Sequence, residues 1–378
     1  MGAARRRKPK ILRREGIRAA RATFPLTQNH VNPARISKLK RLGLVVAGGT
    51  GSWAFGADSA QVHSIANIFK PLSAPAEAVY EISLLALLVC AGIFLVVGSL
   101  LAYAVVKFRS RPGDEGTEPP QIYGSNQLEM AWTAIPILIV FVLVLVTART
   151  TADVQNHPLP EDSLKVRVVG HQWWWEIHYP DHGVITANEL HIPVSSRDQR
   201  RPTALRLESA DVIHSFWVPQ LAGKTDLIPN RANDMWVEPY QTGTFLGNCA
   251  EYCGTQHAKM LLRVVVETPE EFARWIASQK APVVQDSSAQ AGRDLFFNTS
   301  CVNCHRISGT AAEGVFGPDL TRLMSRSTLA AGAASNTPEN LRLWVQNPHT
   351  IKPGCLMPDM QLNPAEVEKI VAYLLTLK

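Results

Sequence analysis

The sequence has no internal repeat and no low-complexity tract, which excludes a repeat array as its architecture. Acidic residues are almost missing from one region, because residues 1–41 hold 13 lysines and arginines against the single acid Glu15. The other residues hold 25 basic and 31 acidic side chains, a net charge of −6, although the whole chain carries +6. The basic excess therefore belongs to an N-terminal leader and does not predict nucleic-acid binding.

The leader continues into a weakly apolar run, residues 42–47, and then into small residues up to Ala60. A basic stretch, a short apolar stretch and small residues are typical of a secretory signal. The run is too short to span a bilayer, which needs about 20 apolar residues. We predict that residues 1–60 form a signal peptide; a disordered tail is the alternative.

Two later runs are long enough to span a membrane, at about residues 82–106 and 131–149. Each is apolar on all faces, which favours a helix in lipid over a buried core helix. Residues 61–150 are therefore predicted to form a two-helix transmembrane hairpin. Because the connecting loop begins with Lys107, Arg109 and Arg111, the positive-inside rule places it in the cytoplasm. We therefore predict a multi-pass protein of the cell (inner or plasma) membrane, in which both ends of the hairpin and everything after Arg149 are extracytoplasmic.

Cysteine is scarce, with six in 378 residues, and its spacing does not suggest three disulfides. Cys90 lies in the middle of a predicted span, and Cys355 has no assigned role. The other four form two closely spaced pairs that each stand beside a histidine. Such pairs are more typical of metal or haem attachment than of a disulfide framework.

The first pair, Cys249 and Cys253, lies in one loop with His257 and Met260, and His214 precedes it. Thiolates, imidazoles and a thioether are the donor set that copper favours. A C-x3-C pair alone is more often a disulfide or a zinc half-site, but structural zinc does not need a thioether. A mononuclear blue-copper site uses one cysteine, so two thiolates predict a copper pair.

The second pair lies in the C-x-x-C-H run at 301–305, which predicts a covalent c-type haem. Cys301 and Cys304 would form the thioether bonds, and the adjacent His305 would be the proximal ligand. A methionine as sixth ligand raises the haem potential, and Met357 and Met360 are the candidates. We predict Met357, because residues 352–358 resemble the Met-Pro segment of class I cytochromes c.

Between the spans and the haem run, short β-rich segments alternate with turns, which predicts a sandwich or barrel over residues 151–280. A helix capped by Thr268 should end this domain near residue 279. Residues 281–378 are predicted to form an all-α domain, small enough to need its haem as core. The predicted strands are 165–169, 173–179, 204–208, 212–218, 234–238, 244–248 and 261–267, and the later helices are 289–297, 338–346 and 364–377.

Three runs, 211–219, 224–229 and 247–254, resemble subunit II of haem–copper cytochrome c oxidases, and the likeness extends over roughly residues 75–280. The resemblance implies a β-barrel cupredoxin domain with a binuclear CuA centre. It also implies magnesium, shared with subunit I through the Glu251 side chain. Asn230 stands where the family has glycine, and asparagine tolerates a left-handed turn. The implied copper ligands are His214, Cys249, Cys253, His257 and Met260 through side chains and Glu251 through its backbone carbonyl.

Two more residues have competing interpretations. The run 170–176 is similar to the family's aromatic segment, which implies that Trp173 is an exposed residue where electrons reach CuA; packing in the barrel core is the alternative. Glu129 could form a capping box with Asn126 as N-cap. The resemblance instead implies that Glu129 is the acid at the cytoplasmic mouth of a proton channel.

With its cytochrome c domain, the chain resembles the caa3-type oxidases. The resemblance implies a proton-translocating cytochrome c oxidase subunit that takes electrons from cytochrome c at its haem and passes them through CuA to subunit I, which reduces oxygen to water. Subunits I and III and the membrane are the expected partners. Three alternatives are a metal-free quinol oxidase subunit, which the copper ligands oppose, a copper carrier or assembly factor, which the haem opposes, and a nitrogen-oxide reductase component with CuA.

Overall fold

The structure is a computed structural model that describes residues 62–63, 67–113, 116, 118, 120–196, 198–283 and 286–378. The predicted signal peptide at residues 1–60 lies outside the described residues. From residue 67 onward the chain forms two long helices, a β sandwich and a small helical domain.

Two long apolar helices, α1 (Ala74–Lys107) and α2 (Asn126–Gln155), correspond to the predicted spans. Both are long and apolar enough to cross a membrane, and no residue of their most apolar stretches is buried. At about 1.5 Å per residue, each is longer than the hydrocarbon core of about 30 Å. The helices therefore extend beyond the lipid and meet the β sandwich, where Trp236 Nε1 donates to Val154 O at 2.8 Å.

The N-cap of helix α2 lies one residue before the predicted one, Asn126. Ser125 is the N-cap and Asn126 is the first helical residue, so the predicted capping box between Asn126 and Glu129 is wrong. Glu129 donates its backbone N–H to Ser125 O at 2.9 Å. Its carboxylate lies over Gly124, where an added Cβ would come within 2.6 Å of Oε1. An acid in the first turn is favourable because it faces the positive end of the helix dipole.

The β sandwich consists of two sheets with the orders β5-β11-β10-β7-β8 and β4-β3-β2-β6-β9, and β1 adds to β10. All seven predicted strands are present, β11 with the predicted bounds and the other six with shifted ends, whereas β1, β4, β5 and β8 were not predicted. The strands are β1 Val62–His63, β2 Leu164–His171, β3 Trp174–Tyr179, β4 Val184–Ala187, β5 Glu189–Pro193, β6 Thr203–Ser209, β7 His214–Trp217, β8 Thr225–Leu227, β9 Asn233–Val237, β10 Gly243–Cys249 and β11 Leu261–Glu267.

Alternation along the strands produces the core of the sandwich. In β11, Leu262, Val264 and Val266 are buried and the residues between them are partly exposed, as the two-residue period of a strand requires. Trp175 and Phe216 from opposite sheets meet edge to face, with 5.9 Å between ring centroids. Asn230 has φ 61°, which confirms the expected left-handed turn between β8 and β9.

Helix α3 (Pro269–Lys280) closes the sandwich, and the haem-motif domain follows. The predicted cap at Thr268 is confirmed as a capping box with Glu271, and Asn363 forms a second capping box with Glu366 at the start of the last helix. The domain also contains a short hairpin, β12–β13, that packs toward the sandwich. Its elements are α4 Gln290–Asn298, α5 Cys301–Cys304, β12 Thr328–Leu329, β13 Ala334–Ser335, α6 Pro338–Gln346 and α7 Pro364–Leu374.

Helices α4 and α7 approach so closely that a Cβ on Gly292 would lie 1.8 Å from Lys369 O. We expect Gly292→Ala to destabilise this domain by about 1–3 kcal/mol, because the helices would have to separate. Thermal unfolding followed by circular dichroism and haem absorbance would measure the change. Ala291→Ser, at an exposed position of the same helix, is the matched control. Equal unfolding temperatures in the two variants would contradict the close approach.

Candidate copper and haem sites

Three segments bring the predicted copper ligands together at one end of the sandwich. His214 begins β7, Cys249 ends β10, and the other ligands lie in the loop before β11. The two sulfur atoms are 3.8 Å apart, and His214, Cys249 and Cys253 form a compact buried donor group. Around the sulfurs lie His214 Nδ1 at 3.9 Å and Glu251 O at 3.1 Å from Cys249, and His257 Nδ1 at 3.6 Å and Met260 Sδ at 3.8 Å from Cys253.

The chemistry of this donor set fits a pair of soft metal ions. Both cysteines are free, and their separation is well beyond the ~2.05 Å of a disulfide. Their hydrogen bond lowers the pKa of Cys249 well below that of an ordinary thiol and raises the pKa of Cys253. The buried pair therefore favours a negative charge, which bound copper would neutralise. Met260 is fully buried, so its thioether is held beside the sulfurs.

Asp211 orients the first histidine. Its Oδ1 accepts from His214 Nε2 at 2.8 Å and its Oδ2 accepts from the Gln172 backbone N–H at 2.6 Å. Burial alone would raise the pKa of Asp211, but hydrogen bonds from His214, Gln172 and Val212 lower it. An ionised Asp211 accepts a hydrogen bond from the Nε2–H of His214, which leaves Nδ1 free to face the cysteine sulfur.

We expect Asp211→Asn to weaken copper binding by about 10–100-fold, the usual effect of losing a carboxylate behind a ligating histidine. The amide keeps the shape but accepts a weaker hydrogen bond from His214. Copper titration against a competing chelator would measure the affinity. Asp181→Asn removes the same charge at an exposed position and should bind copper as the wild type does. Equal affinity in both variants would show that Asp211 does not orient the ligand.

The haem-motif residues line a cavity of about 510 Å³ together with Met357 and Met360. His305 donates Nδ1–H to Pro318 O at 2.8 Å, which leaves Nε2 free for iron. Burial lowers the pKa of His305 and so favours the neutral ring that a metal requires. Gly317 provides room for this ring, because an added Cβ would lie 2.6 Å from His305 Cε1.

A second feature of the cavity also fits a haem. Arg326 is 7% exposed and lines the cavity. Its Nη2 donates to Asp319 O, whereas its Nε has no hydrogen-bond partner. A buried guanidinium with an unpaired donor is suited to an anionic group such as a haem propionate. Size, attachment motif and charge therefore agree on a haem in this cavity.

The expectation that Trp173 is exposed is wrong, because its side chain is 8% exposed. The haem-motif domain packs over this segment, and Lys352 from that domain donates to Trp173 O at 2.7 Å. The indole Nε1 donates to Cys253 O at 3.0 Å. Trp173 also lines the haem cavity, so one side chain contacts the copper loop and the haem site.

Comparison with known proteins gives the same domain order. Residues 63–149 match the transmembrane domain of cytochrome c oxidase subunit II, residues 197–268 match its periplasmic domain, and residues 289–378 match cytochrome c. Cytochrome c oxidase subunit 2 of Alkalihalophilus pseudofirmus is 33% identical, over 82% of this chain and 90% of that protein. The Bacillus subtilis protein of that name is 32% identical, over 82% and 91%. The chain belongs to the cytochrome c oxidase subunit II family.

Solved structures include the periplasmic domain of subunit II from Bradyrhizobium japonicum, 32% identical, which covers 32% of this chain and 97% of that domain with a TM-score of 0.30. As a subunit II with a fused cytochrome c domain, the present chain is membrane-anchored. Its families imply copper and haem c as cofactors. They also imply association with subunit I of the oxidase.

Sequence reasoning did not identify three site residues of this subunit II: Asp211, Arg326 and Lys352. Asp211 precedes His214 by three positions, and that spacing was the available signal. Lys352 begins the run that resembles a Met-Pro segment, but the carbonyls that it contacts are distant along the chain; no local pattern singled out Arg326. Met357, Met360 and Cys355 all line the haem cavity.

Proposed function

We propose that this subunit II receives electrons from cytochrome c at its haem domain and passes them through the CuA site to the haem centres of subunit I. Oxygen would be reduced to water there, coupled to proton pumping. When bound, the haem and the copper pair each supply a one-electron redox couple. The observation that supports this route is Trp173, which hydrogen-bonds the copper loop and lines the haem cavity.

The chain's own task in this route is to hold both centres rigidly. On the copper side we propose that the copper pair would be held by the thiolates of Cys249 and Cys253, Nδ1 of His214 and His257, the Met260 sulfur and the Glu251 carbonyl. Ligand movement is restricted because Cys249 N donates to Met260 O at 3.0 Å. A site that is already folded around its ligand positions needs little rearrangement when it gains or loses an electron.

On the haem side we propose that Cys301 and Cys304 would attach the haem through thioether bonds and that His305 Nε2 and Met357 would ligate its iron. Met357 is followed by Pro358, whose fixed φ stiffens the loop. Arg326 would bind a propionate and keep that charge paired inside the cavity. Each of these residues would therefore attach the haem, ligate its iron or pair with its negative charge.

The copper loop also offers a surface for subunit I. Glu251 and Tyr252 are both exposed, Tyr252 at 76%. We propose that the Glu251 side chain shares a magnesium ion with subunit I.

Two further roles concern the rest of the oxidase. We propose that subunit III also associates with this chain and that Glu129 lies at the mouth of a proton channel. We propose three domains: the hairpin (61–150), the CuA domain (151–280) and the haem domain (281–378). The hairpin would hold the other two, with both redox sites, on the extracytoplasmic side of the membrane.

The proposed route is tested by Cys249→Ser in the purified oxidase. The wild type should hold a copper pair and one covalent haem and should consume oxygen with reduced cytochrome c. The variant should lose copper, because a bridging thiolate is missing, while its haem is still reduced by cytochrome c. Metal analysis, haem absorbance and oxygen uptake measure these properties. Undiminished oxygen uptake in the copper-free variant would exclude CuA from the route.

The axial assignment is tested by Met357→Ala, which we expect to abolish the spectrum of His/Met-ligated haem while the thioether bonds persist. Loss of the methionine ligand should also lower the reduction potential of the haem. Met360→Leu, a change of similar volume in the same cavity, is the matched control and should keep the spectrum. The reverse result, a normal spectrum in Met357→Ala and a changed one in Met360→Leu, would move the ligand to Met360.

A further inference from the structure

Lys352 is buried at the boundary between the copper and haem domains, with 3% of its surface exposed. Its Nζ donates to Trp173 O at 2.7 Å, Lys259 O at 2.8 Å and Ala330 O at 3.0 Å. These three carbonyls match the three N–H donors of an ammonium group. Burial lowers the pKa of Lys352 to about 7, whereas the three acceptors stabilise its charged form.

The three carbonyls belong to segments that each lead to a redox site. Trp173 contacts the Cys253 carbonyl through its indole, and Lys259 directly precedes the copper ligand Met260. Ala330 lies in the β12–β13 hairpin and lines the haem cavity. Lys352 itself precedes Met357 by five residues in the same loop. One ammonium group therefore ties together the indole segment, the copper loop and the loop of the proposed axial methionine.

Neighbouring contacts hold the same loop against the copper domain. Gln256 Nε2 donates to Pro353 O, on the residue after Lys352. On the other side of the boundary, the buried Glu189 carboxylate accepts hydrogen bonds from the backbone and side chains of Ser327 and Thr328. Leu261 N donates to Ala331 O at 3.1 Å. Polar contacts therefore fix the two domains against each other. Among them, Lys352 provides the hydrogen bond to the segment that contains Trp173.

We propose that Lys352 is a positioning residue for electron transfer from haem c to CuA, which fixes Trp173 and the copper loop relative to the haem cavity. This inference rests on the proposed function. Transfer between two centres slows steeply as their separation grows, so the contact that sets the separation controls the rate. In its charged form Lys352 acts in the same direction, because a buried cation beside both sites favours their reduced states.

The test is Lys352→Met in the assembled oxidase, with copper and haem contents measured first. After rapid photoreduction of haem c, electron transfer to CuA should be slower by about tenfold or more, as expected when reacting groups lose their alignment. The reduction potentials of both centres should also fall, because a nearby positive charge is lost. Haem absorbance should still show His/Met ligation.

Arg263→Met is the matched control. Arg263 also donates across the domain boundary, to Ser327 Oγ at 2.6 Å, but it does not contact the Trp173 segment or the Met357 loop. Removing its charge and its hydrogen bond should leave the transfer rate within about twofold of the wild type. A rate within about twofold of the wild type in fully loaded Lys352→Met would overturn the positioning role.

The two proposals fail in different ways. If wild-type haem c does not reduce CuA at all, the proposed route itself is wrong. If the wild type transfers electrons and Lys352→Met transfers them equally fast with unchanged potentials, only the role of Lys352 is wrong. Should Lys352→Met lose haem or copper, Lys352→Gln, which keeps hydrogen-bond donors without the charge, replaces it. Unchanged rate and potentials in a fully loaded Lys352→Gln oxidase would likewise overturn the role.

Discussion

Two buried, unbridged sulfur atoms 3.8 Å apart are the constraint around which the copper end of the sandwich is organised. Their positions follow from strand pairing, because β10 lies beside β7 in a register that sets Cys249 against Phe216. Ala250 N continues this contact by donating to Ser215 O at 3.0 Å. The same pairing places His214, at the start of β7, beside the sulfur of Cys249. The ligand cluster is therefore a consequence of sheet geometry as much as of the loop.

The haem domain is attached to this end of the sandwich by buried polar groups, with a small apolar cluster of Trp174, Ala187 and Ala331 beside them. Buried charged groups are costly unless their hydrogen bonds are complete. Lys352 and Glu189 meet this condition with partners across the boundary. Such contacts depend on direction and spacing, so they define one orientation of the two domains where an apolar surface alone would allow several. Trp173 gains its double contact from that orientation.

The sequence was informative wherever proximity along the chain implies proximity in space. Cys249, Cys253, His257 and Met260 lie within one loop, and Cys301, Cys304 and His305 are nearly adjacent, so spacing alone predicted both ligand groups. The strands were recognisable as short β-rich segments separated by turn residues. Strand β5 was missed because Glu189, an acid that sequence patterning would assign to solvent, is buried there to bind the haem domain.

Properties that depend on distant residues were not predictable in this way. Trp173 is buried under the haem domain, and the Lys352 ammonium that bonds its carbonyl from that domain is 179 positions away. No periodicity or motif reports such a pair. The start of α2 illustrates a local limit, because Ser125 and Asn126 are both good N-cap residues and stand side by side.

The two membrane helices have one further consequence. The N-cap residue of α1 and the last turn of α2 are both bonded to the sandwich. Ser73 Oγ accepts from Glu238 N at 2.9 Å, and Val154 O accepts from Trp236 Nε1. The copper and haem domains are therefore attached directly to two helices and not through a flexible linker. One residue inserted into either helix would move its attached end by about 1.5 Å along the helix axis, and rotate it by about 100°, relative to its other end. Such an insertion would rotate the membrane-spanning part of that helix relative to its bond with the sandwich.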